Sequence, residues 1–128
     1  MEKKAIVGES GPVQGAPYTP AVQVGDWLYI SGQIPLDPAT SRVVEGPFEE
    51  QVRQCLRNLA YLLKAAGMGL DDIVKTTVFL KDLNDFAELN KIYGTYFTGV
   101  KPARSTIEAA RLPLDVRVEI EAVAFRKS

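Results

Sequence analysis

Residues 101–124, KPARSTIEAARLPLDVRVEIEAVA, carry the densest set of side chains able to do chemistry. The segment reads as two strands joined by a Leu-Pro turn. Side chains alternate between the two faces of a strand, so Arg104, Thr106 and Glu108 share one face. In the second strand Val116, Val118, Ile120 and Ala122 point one way, and Arg117, Glu119 and Glu121 point the other. The expectation is that two arginines, a hydroxyl and three carboxylates converge on one side of a pair of strands. Such a patch suits gripping an anion and handling water.

What the chain lacks narrows the chemistry. There is no histidine and one cysteine, Cys55, which excludes a Ser-His-Asp triad, a Cys-His pair, histidine metal sites and an intrachain disulfide. No Gly-rich dinucleotide or phosphate loop occurs. Any catalysis must use Arg, Glu, Asp, Lys, Tyr, Ser, Thr, backbone groups and water, and the expectation is that no cofactor or metal is needed. Fifteen basic and sixteen acidic residues, with no basic tract, give nucleic-acid binding no electrostatic support. No apolar run approaches the roughly 20 residues that span a bilayer, and MEKKAIVGES lacks the apolar core of a secretory signal. A reducing, cytoplasmic setting is the expectation.

The elements that must position these residues follow from pattern. With 128 residues and 46% hydrophobic composition, a single domain over 1–128 is expected. A short edge strand is expected over 5–7 and a Gly/Pro-rich loop carrying Tyr18 over 10–20. Strands follow over 21–24 and 27–34 around the Gly25-Asp26 turn, then a loop over 35–46 with a short strand at 42–44. Proline suits a first helical position, so a helix should start near Pro47. Its apolar stripe runs Phe48, Val52, Cys55, Leu56, Leu59, Leu62, Leu63 and Ala66, and Gly67 caps it. Residues 73–80, rich in β-branched side chains, form a strand. A second helix, with Asp82 or Asn84 as N-cap, runs its stripe from Phe86 through Leu89 and Tyr93 to Tyr96 and Phe97, and stops at Gly99 and Pro102.

The order β-β-β-α-β-α-β-β is an α+β layout with a sheet of five to six strands. Two helices cover only one face of such a sheet. Trp27, Tyr29, Val123 and Phe125 fall opposite Leu28, Ile30, Ala122 and Ala124, so both faces are partly apolar. A half-apolar face left in water is unusual for a monomer. Self-association with closed rotational symmetry is therefore expected.

Four stretches together resemble the Rid/YjgF family: PYTPAVQVGDWLYISGQIP, CLRNLAYLLKAAG, DIVKTTVFLKDLNDFAELNKIYGTYF and PARSTIEAARLPLDVRVEIEAVA. The resemblance runs from about residue 15 to residue 126. The ordered set SGQIP, PARST and RLP…VEIEA is specific, whereas each piece alone is weak. The resemblance implies a chorismate-mutase-like fold with a mixed sheet, a homotrimer built round a barrel, and ligand clefts between subunits. It also implies hydrolysis of reactive enamine or imine acids, such as 2-aminoacrylate and 2-iminobutanoate, to 2-keto acids and ammonia. In that reading Arg104 holds the substrate carboxylate and Glu119 positions the attacking water. Tyr18, Ser31, Gly32, Asn90, Ala103 and Thr106 line the cleft.

The same residues have plainer readings. Taken alone, Arg104 is better read as a strand arginine paired with Glu119 or Glu121, an exposed pair worth about 0–1 kcal/mol. The full motif set reverses that preference. Glu121 fits the role of charge partner better than Glu119, and Glu108 suits pairing with Arg111. Tyr18 either contacts substrate or packs under its Pro-rich loop. Ser31 and Gly32 either meet ligand or mark a bulge. Thr106 is also a residue strands favour, Asn90 also a solvated helix residue, and Cys55 a small buried hydrophobe. Two other functions stay open: a non-enzymatic trimeric binding protein or sensor for small carboxylates, and, ranked third, a ribonuclease or translation inhibitor.

Overall fold

A computed structural model describes residues 1–8 and 16–127; of the loop expected over 10–20, residues 10–15 lie outside them. The chain forms strands β1 (Lys4–Ile6), β2 (Ala21–Val24), β3 (Trp27–Gln33), β4 (Leu36–Asp37) and β5 (Arg42–Val43). Helix α1 (Phe48–Ala65), β6 (Ile73–Leu80), α2 (Phe86–Tyr93), β7 (Ala103–Glu108) and β8 (Val118–Phe125) follow. A mixed six-stranded sheet runs in the order β1-β2-β3-β8-β6-β7, and β4 and β5 make a separate ribbon. Only β6 and β7 are parallel. A parallel pair needs a crossover, and α2 lies on it.

Both helices pack on one face of the sheet, as the alternation predicts. Leu56, Leu59, Leu62 and Leu63 of α1 are fully buried with Leu28, Val78, Leu80, Val118 and Ile120 of the sheet. Each such side chain contributes roughly 1.5–3 kcal/mol by leaving water. Helix α1 ends in a Schellman motif. Gly67 takes φ = +74°, its N–H donates to Lys64 O at 2.9 Å, and Met68 N–H donates to Leu63 O at 2.8 Å. Pro47 sits one position earlier than expected, as the N-cap with φ −73° and ψ 173°.

Helix α2 is shorter than its apolar stripe. It ends at Tyr93, and the N–H groups of Thr95 and Tyr96 donate three residues back, to Ile92 O and Tyr93 O, at 3.0 Å each. Gly94 is a poor helix former, and the Thr95 hydroxyl donates to Ile92 O at 2.7 Å, so the last turn tightens. Phe97 is still buried, its ring 4.6 Å from that of Tyr93.

The face without helices stays open in the single chain. Trp27, Tyr29 and Phe125 are 42%, 50% and 40% exposed, and Trp27 and Phe125 meet edge-on at 4.7 Å between centroids. Among the described residues no helix is long and apolar enough to cross a membrane.

Candidate functional site

Pairing between β3 and β8 slips by one residue between Ile30 and Gln33, so Ser31 and Gly32 form a bulge. The bulge turns these two residues out of the ladder. Ser31 N–H donates to Pro20 O at 2.9 Å and its hydroxyl to Thr19 O at 2.7 Å. Those bonds bring the segment carrying Tyr18, 48% exposed, beside the bulge. Gly32 lets the Glu119 carboxyl group lie against the backbone, because a Cβ there would fall within 2.0 Å of a Glu119 carboxyl oxygen and displace it. Tyr18, Ser31, Gly32, Glu119 and Glu121 line a cleft of about 520 Å³, with Ile34 and Pro113 as an apolar wall. Burial raises the pKa of Glu119 above the usual carboxylate value, and the Glu121 charge raises it further.

Arg104 is elsewhere. The expected patch of converging charge does not form, because β6 lies between β7 and β8. Register then assigns the faces. Arg104 sits opposite Thr76 and Thr76 opposite Ala122, on the helix-covered side. Glu119 sits opposite Phe79 and Glu121 opposite Thr77, on the open side. Within one chain Arg104 and Thr106 are thus separated from Glu119 by the sheet itself. Arg117 precedes β8 and also turns to the helices. Its Nη2 donates to the Asp85 carboxylate at 3.1 Å, its guanidinium lies 5.0 Å from the Phe48 ring centroid, and its N–H donates to Gln51 Oε1. Glu108 pairs with no arginine among the described residues; it accepts from the N–H of Leu83 at 2.9 Å.

At the outer edge of the sheet, Arg104 Nη2 donates to Asn90 Oδ1 at 2.7 Å. Its guanidinium lies 4.9 Å from the Tyr93 ring centroid and 5.5 Å from that of Phe86. Thr106 Oγ1 is buried with no hydrogen-bond partner. Ala103 opens β7, opposite Lys75. The eight residues singled out by sequence therefore fall into two groups: Tyr18, Ser31, Gly32 and Glu119 in the cleft, and Asn90, Ala103, Arg104 and Thr106 at the edge. Sequence reading assigned Phe86 and Tyr93 only to a core stripe. The spacing Phe86, Asn90, Tyr93 (i, i+4, i+7) is the signal that could have grouped them with Arg104. Cys55 is buried, its thiol pKa pushed well up by desolvation. Among the described residues no cluster of three or more potential ligands is arranged to hold a metal ion.

The family model described as endoribonuclease L-PSP matches residues 9–126. A 2-iminobutanoate/2-iminopropanoate deaminase of Salmonella typhimurium is 49% identical, covering 97% of this chain and 98% of the relative. A RutC family protein of Pyrococcus horikoshii is 47% identical, covering 98% and 99%. The crystal structure of the YjgF gene product of E. coli superposes with a TM-score of 0.88 at 46% identity, covering 97% of this chain and 99% of that one. Likeness of sequence and fold over almost the whole length agrees with the motifs, and the chain belongs to the Rid/YjgF family.

Proposed function

We propose that the protein is a cofactor-independent hydrolase of reactive 2-imino and enamine acids, such as 2-aminoacrylate and 2-iminobutanoate, yielding 2-keto acids and ammonia. The observation that carries this reading is the half-buried Glu119, its proton affinity raised, set against Gly32 in a cleft with Tyr18 and Ser31. The deaminase name of the 49% identical relative supports the substrate class. Among the described residues none lining the cleft is cationic. An anionic substrate there needs a positive group, and Arg104 of a second copy supplies it across a subunit boundary. The open face with Trp27, Tyr29 and Phe125 supports that association, as a homotrimer.

In this reading Arg104 pairs with the substrate carboxylate, with Asn90, Ala103 and Thr106 beside it. An enamine is first protonated at carbon to its imine tautomer. Water held by Glu119 then attacks the imine carbon: a C–O bond forms, Glu119 takes the water proton, and the nitrogen gains a proton. The carbinolamine collapses: its hydroxyl proton passes to nitrogen, the C=O bond forms as the C–N bond breaks, ammonia leaves, and a keto acid remains. An imine carbon is already electrophilic, so placement and a proton route are the main needs. Ser31 and the backbone at Gly32 border the reacting centre.

The test couples a threonine or serine dehydratase to the protein and traps residual imine with semicarbazide. Faster keto-acid release with less trapped imine is expected; no acceleration at any protein concentration overturns the reading. Binding of a keto acid without hydrolysis would instead indicate a binding protein. Ribonuclease activity that disappears on further purification would dispose of that third possibility.

As a base, Glu119 must be ionised, so kcat/KM falls as pH drops through its raised pKa. The acid limb of the profile should lie above the ordinary glutamate value of about 4.3. Glu121→Gln removes a like charge and moves that limb to lower pH. The same shift means that the folded state binds this proton more tightly than the unfolded one. Glu119 therefore costs stability above its folded pKa, and the cost is relieved as pH falls. Gly32→Ala should lower kcat about 10-fold or more by displacing the Glu119 carboxyl group, since misplacement by about 1 Å can cost 10²-fold. An unchanged kcat in the coupled assay would contradict that role for the glycine. Sedimentation should give a particle of about three times the 14.0 kDa chain mass, and a fully active monomer would refute the shared cleft.

A further inference from the structure

Arg104 stands on an edge strand with a long side chain, and an unrestrained arginine loses rotamer freedom when a ligand fixes it. Here it is already fixed. Three residues of α2 meet its guanidinium: Asn90 Oδ1 at 2.7 Å from Nη2, and the rings of Tyr93 and Phe86 at 4.9 and 5.5 Å. Tyr93 is itself anchored, its hydroxyl 2.7 Å from Thr76 Oγ1 in the core. Phe86, at the start of α2, is 40% exposed in the single chain, and its ring faces the Arg104 guanidinium.

The chemistry of the three partners is consistent. Among the described residues no carboxylate lies within ion-pair distance of Arg104. The amide oxygen and the two ring faces attract a cation without cancelling its charge. Arg117 is a contrast within the same chain: it is paired with the Asp85 carboxylate, 3.1 Å away, so its charge is spent on structure.

We propose that Phe86, Asn90 and Tyr93 form a charge-neutral clamp that holds the Arg104 guanidinium in one orientation and leaves its positive charge for the substrate carboxylate. They are positioning residues. The inference rests on the reading above that Arg104 receives that carboxylate, and it places Asn90 behind the arginine, with its amide oxygen committed to it.

The experiment measures the affinity of 2-oxobutanoate, a keto acid that does not react, by titration calorimetry on the assembled protein. Phe86→Leu should weaken binding about 3- to 10-fold through loss of one cation–π contact, and Phe86→Tyr should recover most of it. Asn90→Asp keeps size and shape but adds a charge that competes for the guanidinium. It should weaken binding more than Asn90→Ala does, which a packing role alone would not produce. In steady state these losses should appear in KM, with kcat within about 3-fold of wild type for interactions shared by ground and transition states. Circular dichroism and sedimentation of each variant separate binding loss from unfolding or loss of assembly. If Arg104→Ala loses binding while Phe86→Leu and Asn90→Ala bind as wild type, the clamp is refuted and the reading of Arg104 stands. Asn90→Asp binding as tightly as Asn90→Ala or more tightly also refutes the clamp. Wild-type affinity in Arg104→Ala overturns both.

Discussion

Arg104→Ala should lower kcat/KM for 2-iminobutanoate by about 10²- to 10³-fold, inside the range expected when truncating one partner of a close charge pair costs roughly 2–5 kcal/mol. Among the described residues the cleft that holds Glu119 is lined by no cation, so no lining side chain among them can take over the carboxylate. Arg104→Lys should fall between wild type and alanine. Lysine keeps the charge but offers no planar fork for two parallel hydrogen bonds, and it cannot lie flat against Phe86 and Tyr93. The fold should survive, because among the described residues the Arg104 side chain meets Asn90 and two rings at the sheet edge, and its backbone pairing in β7 is kept. Equal acceleration of keto-acid release by wild type and Arg104→Ala would show that the site has been placed wrongly.

Glu119→Gln should reduce kcat by about 10²- to 10⁴-fold, the usual contribution of a positioned general base. Glutamine preserves the volume pressed against Gly32, so the bulge and the cleft keep their shape. What it removes is the proton acceptor. Keto-acid binding should stay within a few-fold of wild type, because the proposed carboxylate partner is Arg104. That split separates an enzyme from a carboxylate-binding protein: a binding protein would show no hydrolysis to lose. The acid limb of the pH profile should also vanish in this variant. Its persistence would assign the titrating group to another residue.

Much of the scaffold was legible in local pattern. The β-branched run Ile73–Leu80 is a strand with those ends, and Ala21–Val24 pairs with β3 across Gly25, whose φ is +59°. Gly67 ends α1 as its position after the apolar stripe suggests. Such features are readable because a turn, a cap or a face is decided within a few residues. Helix α2 was overextended because Tyr96 and Phe97 continue the apolar spacing while Gly94 and Thr95 break the hydrogen-bond ladder. The open apolar face was legible too, since Trp27, Tyr29 and Phe125 alternate with residues of the core.

By itself the sequence determined that Arg104 and Thr106 share one face of their strand, and that Glu119 and Glu121 share one face of theirs. Period-two alternation requires no more than that. Whether the two faces are the same is a matter of strand order and register, decided by hydrogen bonds between segments far apart in the chain. Tertiary structure inserted β6 between β7 and β8 and paired Thr76 with both Arg104 and Ala122. That pairing sends the arginine toward α2 and the glutamate toward the open side. It also took Glu121 out of the pairing with an arginine that its spacing suggested and set it beside Glu119, where its charge raises the proton affinity of its neighbour.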